Sequence, residues 1–187
     1  LGNVVNPLML IDDFGVDAVR YYLMSEMVLG LDATFSMDSF VKKYNSDLAN
    51  DLGNLVSRVC TLISNNFDDK MPKYNSKDSV LAKGFSDINM KEHLDNFKVD
   101  GLIGDIMNFV RSVNGYMEKN QPWKIVKEDK EAAGHVLYHA AESLRVAAIM
   151  LSPVMPEKSQ EIMTALGATE FKLDWAGLKP GNKISKG

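Results

Sequence analysis

Apolar positions recur at helical spacing through most of this chain. From Lys98 to Asn120, residues Val99, Leu102, Ile103, Ile106, Val110, Val113 and Met117 fall on one face. Steps of three and four of this kind predict a helix with one buried stripe. A second long helix is predicted from Asp129 to Leu151, with Ala133, Leu137, Ala140, Leu144, Ala148 and Leu151 in line. Leu48, Leu52, Leu55, Val59 and Leu62, at spacings of 4, 3, 4 and 3, predict another that runs to about Phe67. Shorter elements precede it. Asn6 and Pro7 read as an N-cap and first helical residue, with Gly15 as the stop. A helix from about Asp17 to Met27 offers Val19, Tyr22, Leu23 and Met27 for burial. Ser36 caps a further helix carrying Met37, Phe40, Val41 and Tyr44.

The breaks are equally regular. Leu29 to Phe35 fits a loop or one short strand, and Asp68 to Lys77, with Pro72, fits a loop. Asp78 or Ser79 begins a helix to about Asn96, weakened by Gly84. Gln121-Pro122-Trp123 ends one helix and starts a short turn of another, Ser152-Pro153 stops the next, and Pro156 to Leu166 forms a last helix ending at Gly167. Residues 168–187 are polar, contain Gly and Pro, and read as a loosely packed tail. Helices joined by short loops, with almost no strand signal, predict an all-α antiparallel helical bundle.

Composition narrows the function classes. The chain has 187 residues, enough for one domain with an appendage. Its net charge of −4 is wrong for a general nucleic-acid coat, so any nucleic-acid contact must be local. Cys60 is the single cysteine, which excludes an internal disulfide framework and fits a reducing cytoplasm. No apolar run reaches the roughly 18 residues of a membrane span, and no signal peptide is visible. Leu1-Gly2-Asn3-Val4-Val5-Asn6-Pro7 reads as the interior of a longer protein, so the chain is expected to be a fragment.

Few residues suggest chemistry. Tyr44 to Arg58 carries more Asn than a helix favours. Asn54 and Arg58 lie four apart, so their side chains stand one above the other. An amide and a guanidinium together can read a base edge or grip a phosphate; an exposed polar flank is the plain alternative. Trp123, with Lys124, Lys127 and Lys130 nearby, could stack a base or cover the end of the core. His135 and His139 share a face with Glu131 at metal-ligand spacing. Val136 stands where a zincin needs Glu, so a solvated helix face is the better account. Arg20 could pair with Asp17, and Cys60 is expected to be buried. No catalytic triad, paired carboxylates or P-loop stands out.

Four segments together resemble one family. Leu1 to Pro7 resembles the stretch after the mobile Lys-Met-Ser-Lys-Ser loop of class I aminoacyl-tRNA synthetases. Asp17-Ala18-Val19-Arg20 looks like their Asp-Ala-Leu-Arg signature, with Val19 in place of Leu. Tyr44 to Arg58 and Gln121-Pro122-Trp123-Lys124 are similar to segments of methionyl-tRNA synthetases. Leu151-Ser152-Pro153-Val154-Met155-Pro156 resembles the apolar turn before that family's last helix. The resemblance covers about residues 1–167.

The resemblance implies a connecting segment over residues 1–35 that braces the tRNA, an anticodon-binding bundle over 36–167, and a tail over 168–187. It implies that Asn54 and Arg58 read the cytosine of a CAU anticodon and that Trp123 stacks on an unpaired base, with Lys124 and Lys127 as supporting contacts. It implies a cytoplasmic ligase that charges methionine tRNA with ATP and magnesium. The catalytic residues and any zinc knuckle would lie upstream, leaving no catalytic or metal-binding residue here. The implied partners are methionine tRNA and the enzyme's own catalytic domain, with no membrane. The rival readings are the matching domain of a cysteinyl or leucyl enzyme, or a helical protein-interaction module.

Overall fold

The computed structural model describes residues 6–76 and 79–185. Leu1 to Val5 of the first family-like segment, and the Lys77 and Asp78 boundary, lie outside the described residues. The first helices are α1 (Pro7–Phe14), α2 (Val16–Glu26) and α3 (Met37–Lys43). A π-helical segment (Tyr44–Gly53) then runs without a break into α4 (Asn54–Phe67). The rest are α5 (Val80–Ser86), α6 (Met90–Asp95), α7 (Val99–Asn120), α8 (Pro122–Ile125), α9 (Lys130–Leu151) and α10 (Pro156–Ala165). Among the described residues the only β-type pairing is an isolated antiparallel bridge between Lys70 and Lys183. The Leu29 to Phe35 stretch is loop, and no helix among the described residues is long and apolar enough to cross a membrane.

Local chemistry sets most of the boundaries. The side chain of Asn6 accepts from the Leu8 amide, Ser36 from Ser39, Ser79 from Ala82 and Asp129 from Ala132. Each satisfies an amide that the first turn leaves without a helical partner. The helix expected over 79–96 is instead two. Asn89 accepts from the Glu92 amide and caps α6, so the Asp87-Ile88-Asn89 stretch restarts the helix rather than continuing it.

The main core surrounds α9, which is buried on nearly every side between α4, α7 and α10. Ala133, Ala140 and Ala148 let those neighbours approach closely, as the stripe predicts. A smaller core joins α1, α2 and α3 through Leu10, Ala18, Val19, Tyr22 and Phe40. Phe14 meets Phe40 edge-on with ring centroids 4.9 Å apart, and Tyr22 meets Phe40 at 5.2 Å. Met27, expected inward, is exposed because α2 ends at Glu26; Met37, the first residue of α3, is exposed as well.

Three expectations are corrected by long-range contacts. Arg20 does not pair with Asp17. Its Nε donates to the Val154 carbonyl at 2.8 Å and its Nη2 to the Pro153 carbonyl at 2.7 Å, satisfying the turn after α9. Asp17 is buried and accepts from the Lys158 amide at 2.8 Å in the first turn of α10. His139 is fully buried rather than solvated, because the loop before α5 covers this part of α9. Its Nε2 lies 3.0 Å from the Ser76 carbonyl oxygen, and burial together with neighbouring His135 lowers its pKa to about 4. The tail over residues 168–185 is largely exposed but anchored at points rather than loose. Leu178 and Ile184 are buried, and the Glu142 carboxylate accepts from the Gly177 and Leu178 amides, both at 2.9 Å. Gly167, at φ +66°, lets the tail cross close by; an added Cβ would stand 2.2 Å from the Lys183 carbonyl oxygen.

Candidate nucleic-acid interface

The site starts from a local anomaly in the helix. Asn45, Asp47, Asn50, Asp51 and Gly53 are weak helix formers, and tertiary contacts take hold of two of them. The Tyr21 hydroxyl donates to Asp47 at 2.7 Å. Arg111 on α7 donates to Asp47 at 2.8 Å and to Asp51 at 2.7 Å. Burial, and then the Asp47 carboxylate, hold the Tyr21 phenol far above its ordinary pKa. Over this stretch the backbone takes the wider π winding, a form concentrated at functional sites. Gly53 is needed for it: a Cβ there would stand 2.9 Å from the Leu48 carbonyl oxygen. The helix returns to α geometry at Asn54.

Arg58 lies one turn further on. Its guanidinium stands over the Trp123 ring, 5.5 Å from the centroid. A guanidinium so placed is attracted by the negative face of the indole, worth about 0.5–1 kcal/mol at an exposed position. Nη1 also pairs with Glu118 at 2.5 Å, and Nη2 reaches Asn114 Oδ1 at 3.4 Å. The other donors of the guanidinium fork have no bond among the described residues. Trp123 is half-buried in the first turn of α8, aimed by Gln121 in the left-handed region (φ 44°) and by buried Pro122 behind it. Lys124 and Lys127 are exposed beside it.

The structure thus unites Arg58 and Trp123. Asn54 is exposed on the same helix one turn before Arg58, and its amide bonds back to Asn50 Oδ1 at 3.4 Å rather than to either of them. Asn114 and Glu118, the α7 partners of Arg58, were not among the expected site residues. Their signal was present: a polar pair four apart on α7, just before the Pro-Trp break, repeats the spacing of Asn54 and Arg58. His135 and His139 belong elsewhere. They pack against each other with centroids 4.4 Å apart, while Glu131 stays exposed. Among the described residues no three His, Cys, Asp or Glu side chains converge as a metal site would require.

A helical bundle that presents an arginine over a tryptophan ring is a form suited to reading unpaired bases. Comparison with known proteins gives the class. Residues 1–60 match a family model described as tRNA synthetases class I (M). Residues 80–182 match one described as the anticodon binding domain of methionyl tRNA ligase. The chain belongs to this methionyl-tRNA ligase anticodon-binding family. The methionine–tRNA ligase of Caldanaerobacter subterraneus subsp. tengcongensis is 38% identical over 96% of this chain and 29% of its own length. That of Clostridium acetobutylicum is 38% identical over 100% of this chain and 31% of its own length. The chain therefore spans under a third of these relatives. Among solved structures, Mycobacterium tuberculosis methionyl-tRNA synthetase in complex with methionyl-adenylate superposes with a TM-score of 0.92 at 29% identity, covering 98% of this chain and 39% of that one.

Proposed function

We propose that this chain reads the CAU anticodon of methionine tRNA, as the RNA-recognising part of a methionine–tRNA ligase. The observation that supports the reading is Arg58 poised over Trp123, drawn together from distant parts of a chain of this family. Anticodon bases are unpaired, so they can splay onto an aromatic ring and offer their edges to a planar donor. Trp123 supplies the ring, Arg58 the fork for the cytosine edge, and Asn54 an exposed amide one turn away. Lys124 and Lys127 supply local positive charge for the backbone, which resolves the conflict between RNA binding and an acidic chain. In this reading the protein works in the cytoplasm. The charging step, with its ATP and magnesium, belongs to the catalytic domain of the same protein, which is this chain's partner.

The test is binding of short RNA hairpins by the full chain. One hairpin carries a CAU loop and the others replace its cytosine. Trp123→Ala should weaken CAU binding by about 1–3 kcal/mol. Arg58→Gln should erase the preference for cytosine while sparing binding to the altered loops. Equal loss on every loop would make Arg58 a phosphate contact, and unchanged binding in both variants would sink the reading.

A further inference from the structure

An arginine that reads a base needs its plane set as well as its position. Arg58 has two polar partners on α7, and they do different things. Glu118 is an exposed carboxylate on a flexible stem and grips Nη1 alone. One such contact leaves the guanidinium free to turn about it. Asn114, one turn earlier on α7, supplies the second point through Oδ1 on Nη2 at 3.4 Å.

Asn114 is itself oriented from behind. Its Nδ2 donates to the Asp51 carbonyl at 2.9 Å, in the last turn of the π segment. That bond fixes which way the amide faces. A flipped amide would set its oxygen against the Asp51 carbonyl oxygen and its NH2 against the Arg58 donors, so both contacts would be lost together. The Asp51 side chain is held in turn by Arg111 at 2.7 Å, a second tie between α7 and the segment that carries this carbonyl. The amide thus bridges the π segment, α4 and α7.

We propose that Asn114 is a positioning residue for anticodon specificity: it sets the plane of the Arg58 guanidinium over Trp123, so that the fork meets the cytosine edge already aligned. The proposal rests on the reading of Arg58 given above. Asn114 acts through Arg58 and need not touch RNA. Without it, Arg58 must be ordered during binding, and the cost of immobilising one long side chain falls on the loop that the fork recognises.

The experiment measures hairpin dissociation constants for the full chain, with CAU and cytosine-replaced loops. Asn114→Ala should narrow the ratio between the two loops about five- to tenfold, with binding to the replaced loops little changed. Arg58→Gln combined with Asn114→Ala should be no worse than Arg58→Gln alone. Full discrimination in Asn114→Ala, or losses that multiply in the double variant, overturns the proposal while leaving the reading of Arg58 intact. An Arg58→Gln protein that still prefers cytosine overturns that reading and this proposal with it. Nitrogen-15 NMR of the unaltered protein gives a check that needs no variant to fold. Distinct, slowly exchanging Nη signals for Arg58 are expected, and one averaged signal overturns the claim.

Discussion

Two arginines show opposite uses of one side chain. Arg145 on α9 is 2% exposed, and its partner Glu142 is 0% exposed. Its guanidinium donates to both Glu142 oxygens, to the Lys172 carbonyl at 2.7 Å and to the Asp174 carbonyl. Glu142 also takes the Gly177 and Leu178 amides, so a desolvated charge pair binds the tail to the central helix. Charges removed from water demand this completeness. Arg58 is 35% exposed, pairs with a Glu118 that is 60% exposed, and keeps free donors above an aromatic ring. Saturation makes Arg145 a structural tie, whereas the unfilled fork of Arg58 retains capacity for a ligand.

The sharpest way to break this contrast is to remove Arg145. Arg145→Ala leaves Glu142 charged and unpaired in the core, and urea titration should show a loss of about 3–5 kcal/mol. A loss below 1 kcal/mol would mean the tail is not held by this pair.

Acid should also weaken the fold through buried His139. His139 titrates at about 4 when folded, against an ordinary value near 6.5. Between these values the unfolded chain binds the extra proton. The contribution is therefore complete above 6.5 and declines as pH falls toward 4, by at most about 3 kcal/mol. His139→Gln should flatten that part of the stability–pH curve; curves of equal slope would reject the assignment.

The smallest effect belongs to the exposed pair. Glu118→Gln should change stability by less than about 1 kcal/mol, since exposed ion pairs contribute little. A loss comparable to that of Arg145→Ala, in the same titration, would make the Arg58 cluster a second structural tie.

Much of the fold was legible because it is local. Asn6 and Ser36 cap as expected, Asp129 stands at the expected start of α9, and the Ala133 to Leu151 stripe is buried throughout. The site was half legible. Asn54, Arg58 and Trp123 stood out as residue types in a family-like context. The π winding did not, because Asp47 and Asp51 hold it through Tyr21 and Arg111, which are remote in sequence. The tail misled for a similar reason: its polar composition hides that its backbone amides end on a buried carboxylate.

Most helices and several of their caps follow from the sequence, since periodicity and capping act within a few residues, and the family follows from four motif segments in order. Tertiary structure alone decided that α7 brings Glu118 to Arg58, 60 positions away, and that α8 sets Trp123 beneath it. It also decided that Arg145 is saturated and Arg58 is not. Both are arginines on helices, and what separates them is which distant carbonyls and carboxylates the packing delivers.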